Sequence, residues 1–284
     1  MDIINTISDF RKKRKSINLQ GIRFGFVPTM GALHEGHASL VKRSVAENDY
    51  TVVSIFVNPT QFGPNEDLST YPRTLEADAK LVENIGADLV FAPSADDMYP
   101  AGTGHFTFGI KELDRKLCGA SREGHFNGVV QVVSMLFHIV EPTHAYFGLK
   151  DYQQCLIIRH MVKEMHFPLE IVPCPIVRES DGLAMSSRNV YLAPEERKQA
   201  LFLHTSLQKV KEGVRTGMLK TPREAKELVA KELEHFPLAS LDYLEIYHHQ
   251  DLREISSLAT DFHPHAFMAA YLGRTRLIDN MPLF

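Results

Sequence analysis

The sequence predicts an α/β fold: a Rossmann-like parallel sheet with helices on both faces, followed by a smaller C-terminal α+β lid domain. Strand-like and helix-like segments alternate through the first two-thirds of the 284 residues, which is typical of parallel sheets with helical crossovers. The strand-like segments are almost continuously apolar, as expected for strands buried on both faces. After about residue 178 charged amphipathic segments replace this alternation, which indicates a second domain.

The elements of the first part follow from local composition. Short apolar runs rich in β-branched and aromatic residues predict strands at 22–27, 51–57, 88–92, 145–147 and 170–172. Longer amphipathic or apolar segments predict helices at 38–48, 74–85, 128–140 and 151–165. Pro28 and Gly31 are expected to end the first strand. In such sheets ligands bind beyond the carboxyl ends of the strands.

Two prolines, Pro173 and Pro175, mark the expected domain boundary. We therefore predict a nucleotide-binding domain over residues 1–176 and a lid domain over residues 177–284. The lid domain is expected to contain amphipathic helices at 194–213 and 222–236 and strands at 243–247 and 266–272.

Composition restricts the class of protein. The net charge of −4 gives no general affinity for nucleic acid, and the basic run Arg11–Lys15 is read as a solvated helix face because no aromatic residues interrupt it. Cys118, Cys155 and Cys174 lack CxxC spacing, so they predict a reducing compartment and no metal cluster. Acidic Asp2 and the lack of a long apolar run predict that the N-terminus is not a signal peptide, and no stretch approaches the ~20 apolar residues of a membrane span. These observations predict a cytoplasmic protein without a membrane or nucleic-acid partner.

The most informative segment is FVPTMGALHEGH at residues 26–37. It joins a strand to a helix and places His34 and His37 three residues apart, on one face of a helix turn. Backbone N–H groups and the macrodipole favour an anion at a helix N-terminus, so we predict a phosphate site and an enzyme that uses a nucleotide. A zinc site is not expected, because zinc-binding helices need histidines four residues apart, as in HExxH.

Two further segments support a phosphate site. FGLKDYQQ places Lys150 at a strand-to-helix junction, where its ammonium group could meet phosphate oxygens. DGLAMSSRN places two serine hydroxyls beside Arg188, whose guanidinium binds phosphate in bidentate fashion. Each segment alone is also consistent with a solvated lysine or with a polar loop that caps a helix. Their occurrence together favours a polyphosphate ligand.

The pair PTMGALHEGH and MSSR resembles the HIGH and KMSKS signatures of the nucleotidylyltransferase superfamily. With SIFVNPTQFGPNEDLSTYPRT, GHFNGV, FGLKDYQQ and DGLAMSSRN, the chain more narrowly resembles the pantoate–β-alanine ligase family. The resemblance covers residues 22–192 and resumes at LGRTRLIDN, residues 272–280.

The resemblance implies a two-step ligase reaction. ATP and pantoate would form pantoyl-adenylate and pyrophosphate, and β-alanine would then displace AMP to give pantothenate. ATP is thus a substrate, and Mg²⁺ is expected mainly through the ATP phosphates, with no protein ligand predicted and Asp78 only a candidate contact. The resemblance also implies a homodimer formed through the nucleotide-binding domain.

The resemblance further implies which residues form the site. His37 and His34 would act in catalysis together with Lys150, and whether His37 donates a proton or acts only electrostatically stays open. The first group of ATP-binding residues is Met30, Gly31, Ala32, Leu33, His34, Glu35, Gly36 and His37. The second group is Gly148, Leu149, Lys150, Asp151, Val177, Met185, Ser186, Ser187 and Arg188. The residues expected to bind pantoate and β-alanine are Gln61, Gln154, Asn58 and Arg122. Many family members carry Glu where this chain has Leu149.

Three other functions are compatible with parts of the sequence. An adenylyltransferase that stops after nucleotide transfer would not depend on an amine. An RNA-binding module using Arg11–Lys15 and the MSSR loop would bind RNA in a salt-sensitive manner, which the acidic net charge disfavours. An aminoacyl-tRNA synthetase would need an anticodon-binding domain, and none fits after residue 192.

Overall fold

In the computed structural model, which describes residues 1–17, 21–64, 66–100 and 106–284, six strands form one parallel sheet. The strand order is β1-β4-β3-β2-β5-β6, and every pairing between neighbours is parallel. The strands are β1 (Asp2–Ile4), β2 (Phe24–Thr29), β3 (Tyr50–Ile55), β4 (Leu89–Phe91), β5 (His144–Gly148) and β6 (Glu170–Cys174). The predicted fold class is confirmed.

Helices flank this sheet. They are α1 (Ile7–Ser16), α2 (Glu35–Glu47), α3 (Leu75–Ile85), α4 (Ala95–Met98), α5 (Leu117–Ser121), α6 (His125–Val140) and α7 (Tyr152–Glu164). Consecutive residues of the central strands are buried, among them Phe26 and Val27 of β2 and Val52 and Val53 of β3. Burial of neighbouring residues, whose side chains point to opposite faces, is the reason for the continuous apolar runs in the sequence.

Some boundaries differ from the expectation. Pro28 does not end β2, which continues to Thr29 and pairs Pro28 with Ser54 of β3. The missing N–H is tolerated because β5 pairs with β2 only at Gly25 and Phe26, so Pro28 lies beyond the part of β2 that is bonded on both sides. The helix expected from residue 38 begins at Glu35, and the segment expected as one helix over 194–213 forms two.

The chain divides into two compact units. The first contains Met1–Leu149 and Gln153–Pro175, and the second contains Lys150–Tyr152 and Ile176–Phe284. In the second unit β7 (Ala239–His248), β8 (Pro264–Leu272) and β9 (Thr275–Pro282) form an antiparallel sheet in that order. Its helices are α8 (Pro194–Gln199), α9 (Leu201–Arg215) and α10 (Pro222–Leu233).

One apolar cluster holds the second unit together. Phe202, Leu203 and Leu207 of α9 belong to the same buried cluster as Met268 and Ala270 of β8. Across the part of the chain that the structure describes, no helix has both the length and the apolar character needed to cross a membrane.

Candidate active site

The order of the parallel strands marks a candidate ligand-binding position at the carboxyl edge of the first unit's sheet. From β2 the chain proceeds to β3 and β4 on one side, and it then crosses to β5 and β6 on the other. The change of direction between β2 and β5 is a topological switch point, where α/β sheets bind ligands. The predicted residues Met30–His37, Asn58, Gln61 and Gln154 follow β2, β3 and β5 at this edge.

A buried carboxylate shapes the loop after β2. Asp78 of α3 is 3% exposed, and its Oδ2 and Oδ1 accept hydrogen bonds from the backbone N–H groups of Ala32 (2.9 Å) and Leu33 (2.8 Å). The hydroxyl of Thr74 donates a third, at 3.1 Å. These bonds hold Gly31 and Ala32 at φ +84° and +50°, a region that is unfavourable for alanine. Asp78, considered from the sequence only as a magnesium contact, is therefore the anchor of this loop.

The two histidines cap α2. The sequence suggested that His34 lies within the first turn of the helix. In the structure His34 is instead the N-cap residue, which lies just before the helix. Its Nδ1 accepts a hydrogen bond from the N–H of Gly36 at 3.1 Å, and Nδ1 of His37 accepts one from the N–H of His34 at 3.4 Å. A neutral imidazole whose Nδ1 accepts carries its hydrogen on Nε2. Both rings are thus held in the form in which Nε2–H is a donor, the form that suits phosphate oxygens.

Capping and phosphate contact are consequently compatible. Capping uses Nδ1 of each ring, whereas Nε2–H is the group that would meet a phosphate oxygen. The ring centroids of His34 and His37 lie 4.2 Å apart, so the two Nε2–H donors belong to one small site at the positive end of the helix dipole.

Asn58 orients Gln61. The side chain of Asn58 is 1% exposed and caps the 3₁₀ turn Pro59–Gln61. Its Nδ2 donates to Oε1 of Gln61 (3.1 Å), and its Oδ1 accepts from the hydroxyl of Tyr99 (2.7 Å). Gln61 in turn donates from Nε2 to the Sδ of Met30 at 2.9 Å. Asn58 therefore holds the glutamine in place, and Tyr99 is a supporting residue that the sequence did not reveal.

Arg122 forms a bidentate ion pair with Glu66. Its Nε and Nη2 donate to the two carboxylate oxygens at 2.7 and 2.6 Å, and its Nη1 lies 2.9 Å from Nε2 of His125. Burial alone would raise the pKa of the Glu66 carboxyl, but the hydrogen bonds and charge of Arg122 outweigh it and the pKa is lowered. Glu66 is thus ionised at neutral pH. It lies within the matched segment SIFVNPTQFGPNEDLSTYPRT, the only signal that could have identified it.

The two adjacent glutamines at the start of α7 have different environments. Gln153 is buried: its Oε1 accepts from the N–H of Cys118 at 3.0 Å, and its Nε2 donates to the carbonyls of Leu113 and Lys116 at 2.7 Å each. Gln154, the residue expected to bind pantoate, is only half-buried. Gln153 therefore holds neighbouring backbone in place, while its neighbour keeps access to solvent.

In the second unit, Asn280 holds the Lys150 segment. Nδ2 of Asn280 donates to the carbonyl of Lys150 at 3.0 Å, and its Oδ1 lies 2.9 Å from Nε2 of His265. Burial lowers the pKa of His265 to about 4, partly offset by this hydrogen bond. The ring of Tyr152 packs on His265 with centroids 4.4 Å apart. The ammonium of Lys150 lies 3.9 Å from the carboxylate of Asp151.

The predicted segment 177–188 folds back on itself in the second unit. The N–H of Met185 donates to the carbonyl of Val177 at 3.0 Å. Arg178, which follows Val177 in the sequence, forms a bidentate ion pair with the buried Asp279, at 2.7 and 2.9 Å. Ser186 accepts a hydrogen bond from the N–H of Arg188 and caps the 3₁₀ turn Ser187–Tyr191.

Asp279 and Asn280 thus tie together the Lys150 and Val177–Arg188 segments. Both belong to the matched motif LGRTRLIDN, yet the sequence indicated no role for them. Within the residues that the structure describes, no group of three or more His, Cys, Asp or Glu side chains could hold a metal ion.

Comparisons with known proteins identify the family. A family model described as pantoate-beta-alanine ligase matches residues 2–282. Pantothenate synthetases of Thermotoga neapolitana and Fervidobacterium nodosum are 50% and 48% identical, with 99% of each chain covered. The crystal structure of pantothenate synthetase from Thermus thermophilus matches with a TM-score of 0.92 and 42% identity over both whole chains. That of pantoate-beta-alanine ligase from Francisella tularensis complexed with beta-gamma ATP and beta-alanine matches with a TM-score of 0.81 and 37% identity, covering 100% of this chain and 98% of that one.

Proposed function

The chain belongs to the pantoate–β-alanine ligase family, and we propose which of its residues carry out the family's reaction. The enzyme condenses pantoate with β-alanine, consumes ATP and releases pantothenate, AMP and pyrophosphate. In the first step a carboxylate oxygen of pantoate attacks the α-phosphorus and the bond to pyrophosphate breaks. In the second, the amine of β-alanine attacks the acyl carbon and the bond to AMP breaks.

The histidine pair carries the first half of the proposal. Negative charge grows on the departing pyrophosphate, and the caps of α2, which use Nδ1, leave Nε2–H of His34 and His37 as the donors that would stabilise it. Donors already oriented toward developing charge stabilise a transition state without reorganisation. Met30–Gly36 complete this part of the ATP site, with the loop held by Asp78.

Pantoate binding is assigned to Gln61 and Gln154. The amide of Gln61 already bonds to Asn58 and Met30, and an amide has one further N–H and a further lone pair to offer a substrate hydroxyl. Neutral amides bind the hydroxyls of pantoate without placing a charge that competes for its carboxylate. Asn58 and Arg122 support this pocket through Gln61, and we infer that β-alanine also binds beside Gln61.

Residues 148–151 and the segment 177–188 are proposed to contribute a separate set of ATP contacts. We assign the phosphates to Lys150, with Gly148, Leu149 and Asp151 around it, and adenine to Val177. Met185, Ser186, Ser187 and Arg188 would add hydroxyl and guanidinium donors to the polyphosphate. We propose a nucleotide-binding and catalytic domain at residues 1–176 and a lid domain at residues 177–284.

Magnesium, oligomeric state and location complete the proposal. Asp78 is 3% exposed and both its oxygens accept hydrogen bonds from the loop, so we assign it to holding the loop and not to magnesium. Mg²⁺ would therefore be held by the ATP phosphates, whose charge it would offset. The enzyme would be a cytoplasmic homodimer formed through the first domain, and sedimentation of a fully active monomer at micromolar concentration would contradict the dimer.

The decisive measurement is AMP release with ATP, Mg²⁺ and pantoate, with and without β-alanine. We expect steady AMP formation only when the amine is present, and about one equivalent of pyrophosphate per enzyme without it. Steady AMP formation at an unchanged rate without β-alanine would refute the ligase assignment. Continuous pyrophosphate release without AMP would instead indicate an adenylyltransferase.

A further inference from the structure

The first turn of α6 packs closely against the turn that contains Gln61. Nδ1 of His125 lies 2.8 Å from the carbonyl oxygen of Gln61, and the carbonyl of Gly128 accepts a hydrogen bond from Nδ2 of Asn58 at 3.1 Å. At Gly128 a Cβ atom would lie 2.4 Å from the carbonyl oxygen of Thr60, so only glycine permits this approach. These contacts come from the GHFNGV segment, which the proposed mechanism does not use.

The partners of His125 determine its protonation. Nη1 of Arg122 has hydrogens and no lone pair, so Nε2 of His125 must accept that hydrogen bond. The hydrogen of the neutral ring then lies on Nδ1, which donates to the carbonyl of Gln61. Arg122 is held in turn by both oxygens of Glu66. An ordered chain of bonds therefore runs from Glu66 through Arg122 and His125 to the backbone of Gln61.

We propose that His125 is a positioning residue for pantoate, acting through Gln61, with Arg122 and Glu66 selecting the tautomer that donates to it. The inference rests on the proposed role of Gln61 in pantoate binding. His125 is 8% exposed and both its ring nitrogens face protein groups, so it orients the turn rather than the substrate. Asn58 holds the side-chain amide of Gln61, and His125 holds its backbone carbonyl.

The test is a double-mutant cycle of His125→Ala and Gln61→Ala, read as the KM values for pantoate and ATP. One hydrogen bond corresponds to roughly a three- to tenfold effect. We expect His125→Ala to raise the pantoate KM by that factor and the ATP KM by less than about twofold. In the Gln61→Ala background, which keeps the backbone carbonyl, His125→Ala should add less than about twofold.

Two further variants separate positioning from general stability. His125→Asn places an amide N–H near the position of Nδ1 and should restore most of the pantoate KM. It also serves as the test variant if His125→Ala folds poorly. His138→Ala removes an exposed histidine at the other end of the same helix and should leave both KM values unchanged.

The outcomes are distinct. Equal factors for His125→Ala in both backgrounds, or an equal rise in the ATP KM, would overturn the inference and leave His125 a structural residue. An unchanged pantoate KM in Gln61→Ala alone would overturn the proposed substrate role of Gln61, and the inference with it. If His125→Ala raises the pantoate KM only in the enzyme that retains Gln61, both the role of Gln61 and the inference about His125 are supported.

Discussion

Replacing Gly128 by alanine tests how closely α6 must approach the Gln61 turn. The added Cβ would lie 2.4 Å from the carbonyl oxygen of Thr60, 2.5 Å from its carbonyl carbon and 2.7 Å from the nitrogen of Gln61. All three are backbone atoms, so no flexible side chain can move aside. Ordinary contacts begin near 3.4 Å, and the helix and turn must therefore separate by about 1 Å.

Two opposing effects set the magnitude. Alanine in a helix interior is favoured over glycine by about 0.5–1 kcal/mol. Overpacking of a close contact costs typically about 1–3 kcal/mol. We therefore expect Gly128→Ala to lower the free energy of unfolding by about 1–2 kcal/mol. A displacement of about 1 Å in a substrate-positioning group can lower the rate by up to about a hundredfold, so the pantoate kcat/KM should fall by more than stability alone explains.

Urea denaturation and steady-state kinetics together measure these effects. Gly109→Ala is the matched control, because a Cβ at Gly109 would meet no atom within 4 Å and its backbone does not require glycine. The control should match the parent in both assays. Gly128→Ala that is as stable as the parent, with an unchanged kcat/KM for pantoate, would refute the argument from close approach.

Three further predictions follow from the site. His37→Ala should slow pantoyl-adenylate formation by roughly a hundred- to a thousandfold, whereas the β-alanine step, started from supplied adenylate, should change little in rapid-quench measurements. Asp78→Asn places an amide N–H against the N–H groups of Ala32 and Leu33, and should raise the ATP KM while costing about 1–3 kcal/mol of stability. The neutral form of His265 is favoured in the fold, because its pKa falls from 6.5 to about 4, so its contribution to stability is complete above pH 6.5 and is lost as the pH falls toward 4. Between about pH 7.5 and about pH 5 the parent should lose about 2 kcal/mol more than His265→Gln, whose amide can still donate to Asn280, in urea titrations at both pH values.

Each of these has a contrary result. Normal adenylation by folded His37→Ala would leave only the capping role, for which a stability loss of about 0.5–2 kcal/mol is expected. An ATP KM that Asp78→Asn leaves unchanged would show that the loop does not need its anchor. Parallel pH profiles for the parent and His265→Gln would show that His265 titrates normally, despite its burial beside Asn280 and the nearby charges of His249 and Lys211.

Local patterns were sufficient for much of the fold. Buried parallel strands show as apolar runs because both faces are covered, and crossover helices show their own period. Strands whose sequence lacks such a run escaped prediction: β1 has three residues, and β9 contains polar residues such as Asp279 and Asn280. Their strand conformation is stabilised by pairing with β4 and β8, respectively; β4 is distant from β1 in sequence.

Adjacent residues of one type show the same limit within the site. Gln153 and Gln154 are the same residue type, so the sequence does not distinguish them. Which of them faces the interior depends on how α7 is rotated against the segment containing Leu113 and Lys116. Motif resemblance selected Gln154, and the structure gives the reason that Gln153 cannot play the same part: its amide is occupied by backbone groups.

By itself the sequence determined the fold class, the family and the identities of the residues expected to act, because periodicity and motif are properties of neighbouring residues. The tertiary structure alone decided what holds those residues in place. Asp78 reaches the loop after β2 across 45 and 46 positions, and His125 reaches Gln61 across 64. Only the fold brings such partners within hydrogen-bond distance, and the choice of donor and acceptor on each imidazole follows from those contacts because a ring nitrogen takes its role from the group that faces it.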